Sequence, residues 1–319
     1  MRGVIGTAVV VMAGLLGTSL DAGEAKDAGT AGDPYKLFNG FKFTEGPAPA
    51  ADGTVYFTDI PNNRIHKVDP KGELSTFLED SKGCNGLMVD GGRLIAAQRD
   101  EGRVISIDLA TKKISVIADK FEGNRFIGPN DVVVDQQGGV YFTDPRFPSS
   151  APGNQEKQGV YYAPIDGAAV RLADDLSRPN GVLLSPDEKT LYVFPAGGPE
   201  VMAYPVLGPG KLGPGRVFVK LDQLEGKTPR GGDGGAMAKD GTLYITQPDL
   251  EGIQVFTPSG KAVGLIKLPG RPTNVKFGGK DLKTLYVTLH FRDAANTTTV
   301  DAALYAIKMK RKGHRYGRR

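Results

Sequence analysis

The stretch GPNDVVVDQQGGVYFTDP (128–145) holds two short runs of β-branched and aromatic residues, DVVVD (131–135) and VYFTD (140–144), divided by a Gly-containing turn. That pattern is a β-hairpin. Reading outward, the second run recurs with variations as DGTVYFTD (52–59), GGRLIAAQ (91–98), EKTLYVF (188–194), DGTLYITQ (240–247) and LKTLYVTL (282–289). Each copy follows a shorter, mostly apolar run: GPAPAA (46–51), GLMVD (86–90), GVLLSP (181–186), GAMAKD (235–240) and TNVKFG (273–278). Third runs such as RIHKVD (64–69) and RVISID (103–108), and fourth runs such as KISVIAD (113–119) and AVGLIKL (262–268), complete the units. Self-similarity at this period, with four antiparallel strands per unit and six units, predicts an all-β, six-bladed propeller.

The sixth unit runs out of chain before its fourth strand, while KLFNGFKF (36–43) precedes the first unit with nothing else to pair with. Pairing the two closes the ring and removes exposed edges. The competing architecture is two stacked β-domains. Composition agrees with many tight turns and few helices: 44 of the 319 residues are glycine and 22 are proline.

The ends read differently. Met1-Arg2-Gly3, then the apolar Val4–Leu20 and the small Asp21-Ala22-Gly23, form a signal-peptide pattern over 1–22. A membrane anchor is the alternative, although the run is short for a span. Residues 23–34 read as a polar linker, 35–309 as the propeller and 310–319 as a basic tail. Export to the periplasm or the medium, with no stable membrane insertion after cleavage, is therefore expected. Lys308–Arg319 carries seven Lys or Arg and no acid, so the rest of the chain is net acidic despite a formal charge of +4. Such a run is expected to be a solvated end, and no nucleic-acid partner is expected. The single cysteine, Cys84, excludes an intramolecular disulfide. The sequence carries no signal for an oligomeric state.

In a propeller the first strand of each blade lines the channel, and its leading residue faces the axis. That position holds Glu45, Asn85, Asn130, Asn180, Asp233 and Asn274 in turn. Carboxylate and amide oxygens converging on one axis suit a hard cation, Ca²⁺ first and another divalent ion second. Any one of these residues is explained equally well as a turn former; six in register are not, because plain turns would mix in Ser, Thr and Lys. Of the three histidines, His314 is in the tail and His66 inside a third run, which leaves a zinc-type site almost no ligands. Cys84 has no histidine tied to it by motif, and neither a G-x-S-x-G elbow nor a phosphate-binding glycine loop is present.

The segments FTEGP (43–47), FTDIPNNRIHKVDP (57–70), NGL (85–87), GPNDVVVD (128–135), RPNGVLLSPDEKTLYV (178–193) and GGDGGAMAKDGTLYIT (231–246) resemble the gluconolactonase / regucalcin / luciferin-regenerating-enzyme family. The resemblance implies that Glu45, Asn130, Asn180 and Asp233 are cation ligands and that Asn130 also meets substrate. It implies hydrolysis of a sugar-type lactone, a small-molecule substrate, with Asp233 acting either as general base or as ligand only. Asn85 and Asn274 would then be rim residues contacting substrate. Two departures bear on the sugar. Gln98-Arg99 stands where gluconolactonase-like sequences often carry Glu-His, and Gly128 stands where animal relatives place an arginine. Arg99, Arg125 from the loop before Gly128, and His290 are the further substrate-binding candidates. A metal-dependent esterase or phosphotriesterase of the same fold, and a binding module with a structural Ca²⁺, remain alternatives.

Overall fold

The computed structural model describes residues 28–147, 155–226, 230–295 and 297–318. The signal-peptide reading and residues 23–27 of the linker lie outside these. Among the described residues no helix is long and apolar enough to cross a membrane.

Six antiparallel blades follow one another along the chain, with a separate two-stranded hairpin, Lys120–Phe121 and Asn124–Arg125, between blades two and three. Blade one runs inside to outside through Thr44–Pro49, Val55–Asp59, Arg64–Val68 and Leu74–Leu78. Blade two is Cys84–Asp90, Arg93–Gln98, Arg103–Asp108 and Ile114–Ala118. The inner strands of blades three, four and five are Val132–Val134, Pro179–Leu184 and Gly235–Met237. Blade six pairs Arg271–Gly278, Thr284–Arg292 and Thr299–Lys308, and its fourth strand is the amino-terminal Tyr35–Phe41. The ring is closed as the orphaned segment 36–43 suggested, with Phe38 opposite Leu304 and Tyr35 opposite Ala306.

Each sheet is apolar on both faces because each packs between two neighbours. Phe142 stacks on Tyr161, and Phe126 meets both edge-on, in the core shared by blades two, three and four. Phe41, Phe57 and the buried His66 meet at the closure between blades six and one. Burial holds that imidazole below its usual pKa, which fits a packed histidine and not a metal ligand.

Both ends depart from the sequence reading. Ala28 is buried in the core of blades five and six, and Thr30 bridges to Met309, so the last part of the linker is docked. The basic tail is docked as well. It crosses the face of the ring where the inner strands end: Gly313 N donates to Leu282 O, His314 N to Met237 O and Gly317 N to Val134 O. The Tyr316 hydroxyl donates to Leu184 O at 2.8 Å. Arg318 ends the crossing on the buried Asp90 carboxylate at 2.9 Å. Backbone hydrogen bonds hold this segment, and a charge count does not reveal them.

Candidate metal centre and substrate cavity

The inner strands begin at the opposite face, where they bring together five of the six leading residues. Glu45, Asn85, Asn130, Asn180 and Asp233 line one cavity of about 650 Å³. Phe43, Ile60, Phe147 and Thr299 add a partly apolar wall.

Local sequence explains the close approach. The residue after Asn180 is Gly181, where an added Cβ would stand 2.2 Å from Asp233 O. Gly86, after Asn85, is as crowded against Asn130 O of the next blade, to which its N–H donates at 2.7 Å. Threonines of the second strands tie the blades at the same level. Thr58 Oγ1 donates to Asn85 O at 3.1 Å and Thr143 Oγ1 to Asn180 O at 2.6 Å. The Asp that follows each of these threonines is buried and caps the loop entering its own blade: Asp59 accepts from the Lys42 and Phe43 amides, Asp144 from Ile127 and Gly128. The repeated Phe-Thr-Asp is thus a scaffold for the ring. Gly181→Ala is expected to destabilise by about 2–3 kcal/mol, read as a lowered Tm, because the Asp233 backbone must move.

The electrostatics of the ring favour a bound positive charge. Burial raises the Glu45 carboxyl well above its usual pKa, and the Asp233 and Asp131 charges raise it further. Burial, followed by Asp131, pushes Asp233 up to about 8. Asp131 and Lys276 complete the channel wall below the ring and escaped the sequence reading. The Lys276 ammonium donates to Gly235 O at 2.9 Å and Asn274 Oδ1 at 3.2 Å, and lies 3.8 Å from Asp131 Oδ2. Three carboxylates against one ammonium leave two negative charges, the complement of a divalent ion. The signal was there: two residues after Asn274, a strand period of two aims Lys276 at the axis as well.

Asn85 Oδ1 is buried with no hydrogen-bond partner, an oxygen free to accept from a ligand. Among the described residues no three of His, Cys, Asp and Glu gather as a metal cluster. The donors are two carboxylates and amide oxygens, which fit a hard cation and not zinc.

The other candidates separate. Asn274 does not line the cavity; its side chain hydrogen-bonds Glu45 from behind. Arg99 lines the cavity. Its Cγ would lie 3.0 Å from a Cβ at position 128, so Gly128 leaves room for this arginine. Arg125 turns away and donates to Glu101 O at 3.0 Å, fixing the blade-two loop. His290 sits behind the wall, its ring 4.8 Å from Phe43 and its Nδ1 3.2 Å from Thr299 Oγ1. Burial, with Arg271 and Arg292 nearby, lowers it to about 4, so its imidazole is neutral at pH 7. Cys84 is fully buried and its thiol is pushed up to about 12, which removes it as a nucleophile.

A closed six-bladed propeller with an acid–amide ring at one mouth of its channel defines the class. The family described as SMP-30/Gluconolactonase/LRE-like region matches residues 43–291, and the chain belongs to it. A gluconolactonase of Zymomonas mobilis is 32% identical over 277 residues, covering 77% of this chain and 76% of that protein. A solved gluconolactonase from Xanthomonas campestris superposes with a TM-score of 0.73 at 27% identity, covering 86% of this chain and 89% of that one. The fold is shared with a calcium-binding regucalcin of Agrobacterium tumefaciens, at a TM-score of 0.72 and 20% identity over 91% of this chain and 97% of that one.

Proposed function

We propose that this protein is a lactonase that opens a sugar-type lactone with the help of a divalent cation, Ca²⁺ first, held by Glu45, Asn130, Asn180 and Asp233. The observation that carries the reading is the pair of buried, raised carboxylates among amide oxygens in a cavity of about 650 Å³. The gluconolactonase relatives favour a lactone over other esters.

When bound, the cation supplies Lewis-acid polarisation of the carbonyl and stabilises the negative charge that develops on its oxygen. The residues do the rest. Asn85 and Asn130 present amide groups to ring hydroxyls, and Arg99 adds a cationic donor. Phe43, Ile60 and Phe147 pack against the C–H face of the sugar. Asp233 orients the attacking water and, where it is not engaged as a ligand, takes up its proton as general base. Water adds to the carbonyl carbon, the ring C–O bond breaks, and the proton passes to the departing ring oxygen to give the hydroxy acid.

Hydrolysis of δ-gluconolactone by the chain lacking residues 1–22 tests this, with Ca²⁺ and after EDTA. Activity removed by EDTA and restored by Ca²⁺ is expected; a protein that binds cation yet opens no aldonolactone overturns the reading. We also propose export, on the strength of the amino-terminal segment alone.

Stability supplies a second check. A carboxyl raised in the folded state holds its proton there and loses it on unfolding, so the metal-free protein loses stability as pH rises toward that pKa. Between about pH 7 and 8.5 the histidines are already neutral in the unfolded chain. In that window the metal-free Tm is expected to fall, and the gain on adding Ca²⁺ to grow. A flat profile would dissociate Asp233 and Glu45 from cation binding.

A further inference from the structure

Beside the central cavity lies an annex of about 250 Å³ that shares Asn180, Asp233 and Phe147 with it. A molecule bound over the ring of Asn and acidic residues therefore extends directly into this second space. Three arginines line the annex, Arg178, Arg230 and Arg271, against two carboxylates, Asp249 and the shared Asp233. Asp249 pairs with Arg271 and lies 3.5 Å from Arg230. Among the described residues no carboxylate is paired with Arg178, which stands two residues before Asn180.

Two observations show that this is a built surface and not a chance gathering of surface arginines. Arg271 is buried, and its Nε–H has no hydrogen-bond partner. A buried guanidinium N–H left unsatisfied is costly unless an acceptor completes it. The Arg230 backbone is fixed from two sides: its N–H donates to Gln223 Oε1 at 2.7 Å, and its carbonyl accepts from Gln247 Nε2 at 3.2 Å. The positive potential is felt by neighbouring groups as well. Burial lowers the Arg292 guanidinium below its usual pKa, and the charges of Arg271 and Arg230 add to that. An electropositive recess opening off a sugar-sized cavity has the chemistry of an anion site.

We propose that the annex receives an anionic substituent carried by the substrate at the end remote from the lactone carbonyl: a phosphate, sulfonate or carboxylate. The proposal rests on the lactonase reading for its reaction, and names the substrate class within it as acidic lactones. Arg178 supplies the uncompensated charge, and Arg271 and Arg230 orient the oxyanion.

Product acids test the annex without requiring turnover. Calorimetry would compare 6-phosphogluconate and glucarate with gluconate, which lacks the second anionic group. The wild type is expected to favour one of the first two by about tenfold or more, and which one is favoured separates phosphate from carboxylate. Arg178→Gln and Arg230→Gln are each expected to reduce that preference by several-fold, and raised salt to narrow it. Equal binding of all three acids, or a preference unchanged in both variants, overturns the proposal. Turnover of δ-gluconolactone and 6-phosphogluconolactone separates the two readings. Hydrolysis of the neutral lactone without any preference for 6-phosphogluconate leaves the lactonase standing and removes the annex. Arginine-dependent binding of 6-phosphogluconate without hydrolysis of either lactone does the reverse.

Discussion

Asp233→Asn is expected to lower lactone turnover by about two to three orders of magnitude and to weaken Ca²⁺ binding, while raising the stability of the metal-free protein. All three effects have one cause. Glu45, Asp131 and Asp233 share the channel with the single ammonium of Lys276. Removing one carboxylate leaves a net charge of one, too little to match a divalent ion. It also relieves the repulsion that raises Glu45, so the empty site is less strained. The opposite signs for stability and function are the usual mark of a site kept under tension for its task. Three measurements divide the roles. Turnover that recovers at saturating Ca²⁺ makes Asp233 a ligand only. Turnover that stays depressed by about a hundredfold with cation bound makes it the group that handles the proton. Near-normal turnover and affinity together would remove it from the mechanism.

Deleting Gly313–Arg319 is expected to cost about 3–4 kcal/mol of stability, from several lost hydrogen bonds and a partly orphaned Asp90. For a chain of this size that is a fall in Tm of about 5–7 °C. The segment contacts blades six, five, four, three and two in succession through Leu282, Met237, Leu184, Val134 and Asp90. It lies at the end of the channel remote from Glu45 and Asp233, so the loss should appear in thermal unfolding and not in kcat at 25 °C. Burial opposes ionisation of Asp90, yet Arg93 and then Arg318 hold its carboxyl below the usual range. That stabilisation is present above the unfolded carboxylate pKa and disappears as pH falls through the lower folded value, so the deletion should matter less in strong acid. A truncated protein with unchanged Tm would show the crossing to be ornamental.

The propeller was legible because its signal is redundant. Six copies of an alternating strand after a polar turn survive local variation, and the unpaired 36–43 had one partner left. The oxygen ring was legible for a related reason: register fixes which residue of each inner strand meets the axis. What escaped the sequence depends on geometry between blades. Asp131 sits inside the quoted Pro-Asn-Asp-Val yet reads as the polar start of a strand, whereas the register of Lys276, two residues after Asn274, already aims it at the axis. Arg125 follows the right loop and His290 lies near the end of the right strand, but hydrogen bonds to Glu101 O and Thr299 turn them from the cavity. The docked tail was hidden because its contacts are mostly backbone, while its side chains advertise charge. Arg99 and Gly128 are two halves of one exchange, a bulky group on one loop and the space for it on the next.

The pairing of Tyr35–Phe41 with Thr299–Lys308 also sets an order of events during synthesis. Asn39 and its partner Asp301 are 262 residues apart, so the first strand made waits for nearly the whole chain before it finds its place. Contacts this distant in sequence are slow to form. Meanwhile the waiting segment, with Leu37, Phe38 and Phe41, is a ready edge for another nascent copy to pair with. Fewer ribosomes per message, which space the nascent copies apart, should therefore raise the soluble fraction in a heterologous host.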